Sequence, residues 1–264
     1  MKKGISIENI LELYTSGKTP IEIAEQLGCT LSNVSRRLKK AGVHIKRDYA
    51  KTRYSRISRY KVNETYFDNI DTEDKAYFLG LMMSDGCVSN NCFYIKLIDE
   101  DILLKFKECL ECENQVIFTQ APNPNWNNSY KLTICSKYMC KALEKLGCTK
   151  NKTKTLKFPN IKKELYRHFI RGFFDGDGCL QLQNKIYHCR FDLTCASKEF
   201  LEEVRPILTE HAKTSGYLGK ETKYDVWHLN YSGHQVKQIL DWIYKDSNYY
   251  LQRKYNKYKI ISSR

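Results

Sequence analysis

The chain has 264 residues, 44 Lys and Arg against 30 Asp and Glu, and a formal charge of +14. That length supports one large domain or two ordinary ones with a sizeable core, and 28% charged and 42% hydrophobic residues with 5 Pro and 13 Gly exclude disordered and collagenous classes. No apolar run approaches the roughly 20 residues of a membrane span, and Glu8 and Glu12 interrupt any signal-peptide core behind the basic start. An intracellular protein without membrane contact is expected, and a polyanion is the natural partner of its charge.

The excess charge is uneven, with 14 basic and 5 acidic side chains in residues 1–61. Ile7, Ile10, Leu11 and Leu13 recur at helical spacing up to Gly17, Thr19-Pro20 caps and opens a second helix, and Gly28-Cys29-Thr30 turns into a third. In that third helix Leu31, Val34 and Leu38 are expected inward, and Ser32, Asn33, Arg36, Arg37, Lys39 and Lys40 outward. This is helix-turn-helix punctuation over residues 1–45, in which the polar face would lie in a major groove; an ordinary three-helix bundle with a solvated basic face is the plainer alternative. Residues 46–61 read as a basic linker, seven basic side chains against one acid, with Arg53 and Arg56 candidates for phosphate contact.

Further along, one segment occurs twice. Ala76-Tyr77-Phe78-Leu79-Gly80-Leu81-Met82-Met83-Ser84-Asp85-Gly86-Cys87 is echoed by His168-Phe169-Ile170-Arg171-Gly172-Phe173-Phe174-Asp175-Gly176-Asp177-Gly178-Cys179, at an offset of 92 residues. After each Asp-Gly-Cys come strand-like runs, a helix (100–110; 198–212), more strand and another helix (137–146; 234–244), so each half reads αββαββα. Tyr130, Leu132 and Ile134 alternate with Ser129, Lys131 and Thr133, as Cys189, Phe191, Leu193 and Cys195 do with Arg190, Asp192 and Thr194. Such sheets have an apolar face for helices and a polar face for a ligand. The repeated segments are apolar nearly all round and are expected to be buried. Gly80, Ser84, Gly172 and Gly176 recur about one turn apart and allow two helices to approach closely, bringing Asp85 and Asp177 side by side. Two carboxylates so placed invite divalent cations.

The paired segments resemble the LAGLIDADG motif of homing endonucleases of the single-chain, two-repeat kind. Phe78 to Gly86 keeps four of the nine letters, and Ile170 to Gly178 also keeps four; Met83 departs from the pattern where Asp175 keeps it. The resemblance implies an α+β fold of two pseudo-symmetric αββαββα repeats, 62–155 and 156–264, behind the small all-α module. It implies a site-specific double-strand DNA endonuclease acting as a monomer without a protein partner. Asp85 and Asp177 would be metal ligands together with the carbonyls of Ser84 and Gly176, and the cofactor Mg²⁺ or Mn²⁺. The family also uses one lysine per half near the attacking water. Lys152, with Lys154 as second choice, and Lys254 stand in matching segments. Base reading would fall to the outward strand faces, with Tyr94, Lys96, Lys131, Thr133, Gln181, Gln183, Arg190, Asp192, Thr194, His228 and Asn230 as candidates. The competing readings are a DNA-binding regulator or an RNA-binding intron maturase that reuses the fold without cutting; retention of both aspartates favours the nuclease.

Eleven cysteines, an odd number scattered through the chain, read mostly as buried thiols. Cys109-x-x-Cys112 with Cys135 and Cys140 has the outline of a zinc ribbon, but the second pair lacks the ribbon spacing, and packing is the expectation.

Overall fold

The computed structural model describes residues 6–43, 60–150 and 152–263, in two compact units, 1–57 and 58–264. Arg53 and Arg56 lie outside the described residues.

In the first unit, α1 (Ile7–Thr15) starts where the Ser6 hydroxyl accepts the Asn9 amide. α2 (Pro20–Gln26) starts with a reciprocal capping box between Thr19 and Glu22 and with Pro20 at its first position. α3 (Leu31–Lys40) is capped by Thr30, and Gly17, Gly28 and Gly42 take the positive φ that ends each helix. Ile10, Ile23, Ala24, Val34 and Leu38 form a small core of their own. Leu31, expected inward, is exposed: as the first residue of α3 it precedes the turn that packs on α1 and α2.

The second unit is α+β. Its first half runs α4 (Glu73–Ser84), β1 (Gly86–Val88), β2 (Phe93–Leu97), α5 (Glu100–Cys109), β3 (Val116–Thr119), β4 (Ser129–Ile134) and α6 (Lys137–Lys145). The second repeats the order with α7 (Tyr166–Asp177), β5 (Gly178–Gln181), β6 (Arg190–Cys195), α8 (Lys198–Ala212), β7 (Tyr217–Glu221), β8 (Val226–Ser232) and α9 (His234–Tyr244), and α10 (Gln252–Ser262) follows them. Each half forms one antiparallel four-stranded sheet, ordered β1-β2-β4-β3 and β5-β6-β8-β7. Phe93, Ile95, Leu132 and Ile134 in one sheet, and Phe191, Leu193, Leu229 and Tyr231 in the other, point into a single continuous core.

At the centre α4 and α7 cross. Residues Ala76 to Met83 and His168 to Asp175 are all buried; in α4 an all-round apolar surface requires it, whereas α7 buries His168, Arg171 and Asp175 as well. The crossing is as close as backbone allows: a Cβ on Gly80 would lie 2.1 Å from the Phe169 carbonyl oxygen, and one on Gly172 2.0 Å from that of Tyr77. Among the described residues no helix is long and apolar enough to cross a membrane.

The cysteines depart from the expectation of buried thiols. Cys92 and Cys135 form a disulfide, one position beyond the Phe93–Ile134 pair of β2 and β4, so the register itself brings them together and Cys135 is withdrawn from any zinc site. Cys112, Cys140, Cys148, Cys189 and Cys195 are buried, whereas Cys87 and Cys179 are exposed.

Candidate active site

The crossing of α4 and α7 sets the site. Asp85 caps the C-terminus of α4, and Asp177 is the last residue of α7, each at the negative end of a helix dipole. Gly176 faces the other helix so closely that a Cβ there would lie 1.9 Å from Ser84 Oγ and 2.7 Å from Asp85 Oδ2. The glycine is therefore what admits Asp85 to the end of α7. Burial holds the Asp85 carboxyl above the usual range, against the pull of Lys254 and Lys152. Asp177, open to solvent on one side, is pushed up to about 6, first by the surrounding protein and then by Asp85. Among the described residues neither carboxylate accepts a hydrogen bond or enters an ion pair.

Two lysines close the helix ends from behind. Lys152, in the 3₁₀ turn Lys152–Lys154, donates from Nζ to the Gly86 carbonyl. Lys254, in the first turn of α10, donates to the carbonyls of Phe174, Asp175 (2.9 Å) and Gly178 (2.6 Å). Gly86 and Gly178 are equivalent in the two motifs, so the lysines occupy related places despite unrelated local structure. A cation beside C-terminal carbonyls also favours the helix dipole, which gives each lysine a structural part whatever its chemistry. Burial brings Lys254 down to about 8. Lys154 points elsewhere: its Nζ pairs with Asp225 at 2.7 Å on an exposed surface.

Sequence reasoning missed a buried polar network beside the carboxylates. Arg171, fully buried, donates to Glu73 Oε1 at 2.7 Å, to the Tyr249 carbonyl at 2.7 Å and to the Ile243 carbonyl at 2.5 Å. Its other nitrogen neighbour, His168, is driven down to about 4 by burial and by the guanidinium. Asp175 accepts from the Tyr77 hydroxyl and the Leu251 amide, both at 2.8 Å. An arginine and an aspartate four apart, Arg171 and Asp175, among the aromatic residues of the motif helix were the available signal, because buried charges persist only when paired.

The outward strand faces collect most of the residues expected there. Tyr94 pairs with Thr133 and Lys96 with Lys131, and the Lys131 ammonium sits 3.9 Å from the Tyr94 ring centre. In the second sheet Gln181 faces Arg190, Asp192 faces Asn230 and Thr194 faces His228. His228 lies between Asp192 Oδ1 (3.1 Å) and Glu221 Oε2 (3.2 Å); Glu221 carried no signal in the sequence. Gln183 is off the sheet, because β5 ends at Gln181 and the chain turns toward a 3₁₀ segment, Ile186–His188. In the first unit Ser32, Arg36, Lys39 and Lys40 are exposed on α3, and the Asn33 side-chain oxygen accepts Arg37 Nε at 3.0 Å.

Comparison with known proteins gives the arrangement a family setting. The subunit Rpo1C of the DNA-directed RNA polymerase of Methanocaldococcus jannaschii is 28% identical over 136 residues, 51% of this chain and 15% of that protein; the chain thus spans a small part of the length of such relatives. Among solved structures, the LAGLIDADG meganuclease I-AabMI bound to uncleaved DNA superposes with a TM-score of 0.48 at 14% identity, covering 73% of this chain and 90% of the other. Full-length DUF199/WhiA from Thermatoga maritima gives 0.48 at 15% identity, over 76% and 64%. Residues 164–240, which carry Arg171, Asp175, Asp177 and the whole second sheet, match the LAGLIDADG-like domain family.

Proposed function

We propose that the protein is a site-specific double-strand DNA endonuclease that works as a monomer. The observation that carries this reading is the pair Asp85 and Asp177, brought together by glycines at a helix crossing and left without hydrogen-bond or ion-pair partners among the described residues. The donor set fits a hard divalent cation such as Mg²⁺ or Mn²⁺, since carboxylate and carbonyl oxygens are its natural ligands. Among the described residues no cluster of three or more His, Cys, Asp or Glu side chains is placed to hold a metal, so the carbonyls of Ser84 and Gly176, with water, would complete the shell. When bound, such a cation activates water and offsets charge developing on the scissile phosphate.

The chain's own groups supply the rest. Asp85 and Asp177 each serve one strand, so a single chain presents both half-sites. Lys152 and Lys254 hold cationic Nζ atoms at the ends of the two motif helices, where their charge favours an approaching phosphate. The two outward sheet faces take the duplex, Lys96, Lys131 and Arg190 meeting phosphate or guanine and the amides of Gln181 and Asn230 adenine edges. α3 of the first unit extends the contact as the reading helix of a helix-turn-helix, with the basic linker and its Arg53 and Arg56 along the phosphates. A genomic target of this kind implies an intracellular location.

Incubation with a randomised duplex library and Mg²⁺, followed by sequencing of cut ends, tests the reading. Enrichment of one extended site with both strands cut is expected. Binding of one site without cutting would replace the nuclease by a non-cleaving DNA-binding regulator.

A further inference from the structure

The two halves finish their motif helices differently. At equivalent places α4 carries Met83 and α7 carries Asp175, both buried. The Asp175 carboxylate gathers three donors: Tyr77 and the Leu251 amide at 2.8 Å on Oδ2, and Tyr244 at 3.4 Å on Oδ1. Leu251 is the N-cap of α10, and the Lys254 amide donates back to the Leu251 carbonyl at 3.0 Å. The carboxylate is thus fixed to the residue that sets where α10 begins, three positions before Lys254.

In the first half the same duties are divided and unanchored. Cys148 Sγ donates to the Met82 carbonyl at 3.3 Å, the equivalent of the Phe174 carbonyl that Lys254 takes. Among the described residues Lys152 takes only Gly86, and it belongs to a single half-exposed 3₁₀ turn. Met83 offers no acceptor to the segment that carries it. A buried carboxylate is costly to desolvate and is retained where its geometry matters.

We propose that Asp175 is a positioning residue for Lys254, fixing the start of α10 so that the ammonium is held at the end of α7, and that this anchor, absent from the first half, makes the two half-sites cut their strands at unequal rates. The strand-rate part rests on the nuclease reading; the positioning part does not.

The test compares Asp175→Met, which copies the first repeat, with the isosteric Asp175→Asn, which still accepts from the Leu251 amide. Acylation of lysines in the intact protein is followed by mass spectrometry, and nicking of each strand is timed on the selected duplex. In Asp175→Met the labelling of Lys254 should rise roughly tenfold, the order set by removing one hydrogen-bond anchor, while that of Lys152 stays constant. One strand should be cut more slowly, the same strand that Lys254→Met slows. Asp175→Asn should restore both readouts toward wild type. Unchanged Lys254 labelling in a folded Asp175→Met protein, or slowing of both strands alike, overturns the proposal. Should Asp175→Met fail to unfold cooperatively, hydrogen exchange on the wild-type chain decides: the Leu251–Tyr255 amides must exchange more slowly than those of 149–155, and equal rates overturn the proposal. The labelling pattern without any cutting would support the positioning and sink the nuclease reading instead.

Discussion

The methyl group that Gly172→Ala would add points at the Tyr77 carbonyl oxygen, 2.0 Å away. The obstacle is backbone on an opposing buried helix, so no rotamer change relieves it. Gly172→Ala, and Gly80→Ala by the same approach to Phe169, should each destabilise the second unit by about 3 kcal/mol, the upper range of overpacking, measured by denaturant unfolding. Gly176→Ala meets the Ser84 and Asp85 side chains, so it should cost less stability but displace Asp85.

Asp85→Asn and Asp177→Asn should each abolish duplex cutting while sparing affinity for DNA, measured by cleavage and by gel shift on one substrate. The same variants carry a stability signature. A carboxyl whose folded pKa is raised contributes stability that is present below its unfolded value near 4 and lost as pH rises through its folded value, here about 6 for Asp177. In chelator, Asp177→Asn should therefore melt higher than wild type at pH 7 and not at pH 4. Wild type melting as high as the variant at pH 7 would argue against a carboxyl raised by burial and by Asp85.

Lys152 and Lys154 are separable. Lys152→Met removes the ammonium at Gly86 and should slow cutting by roughly 10² to 10⁴, the range of proton-transfer assistance. Lys154→Met breaks only an exposed pair with Asp225, and solvent screening leaves such pairs little weight. Its cutting rate should stay near wild type in single-turnover assays.

His168, buried against Arg171, has its pKa lowered to about 4. A base depressed in the folded state contributes stability that is intact above its unfolded value near 6.5 and is lost as pH falls toward 4. Wild type should lose stability across that window, and His168→Gln should flatten the loss; equal slopes in the two proteins would assign the acid sensitivity to other groups.

Deleting residues 1–61 removes a unit with its own core and nine of the fourteen net positive charges. Specific cutting should persist. The slope of log K against log salt should flatten by roughly 0.9 for each phosphate that the deletion leaves unneutralised, and nuclease protection should retreat from one end of the site.

Local pattern was enough for the three helices of the first unit and for the doubled run of helices and strands, but not for α10. The strand alternation around Tyr130 and Phe191, the cap at Thr19, the turn at Gly28-Cys29-Thr30, and the doubled Asp-Gly-Cys segment are all spacings within a few residues, and neighbouring side chains share a face wherever the period says so. The helix crossing was legible too, because glycine and serine one turn apart have one steric use in a buried helix.

Tertiary structure decided what joins distant segments. Lys152 rather than Lys154 reaches a motif helix because the 3₁₀ turn aims them apart. Cys92 meets Cys135 because β2 and β4 pair in one register and not the next. Arg171 and Asp175 find Glu73, Tyr77 and Leu251 across 76 to 98 residues of sequence. Burying a charge is an energetic debt that the sequence displays, but the partners that settle it are chosen by packing, and packing acts between residues that no local period connects.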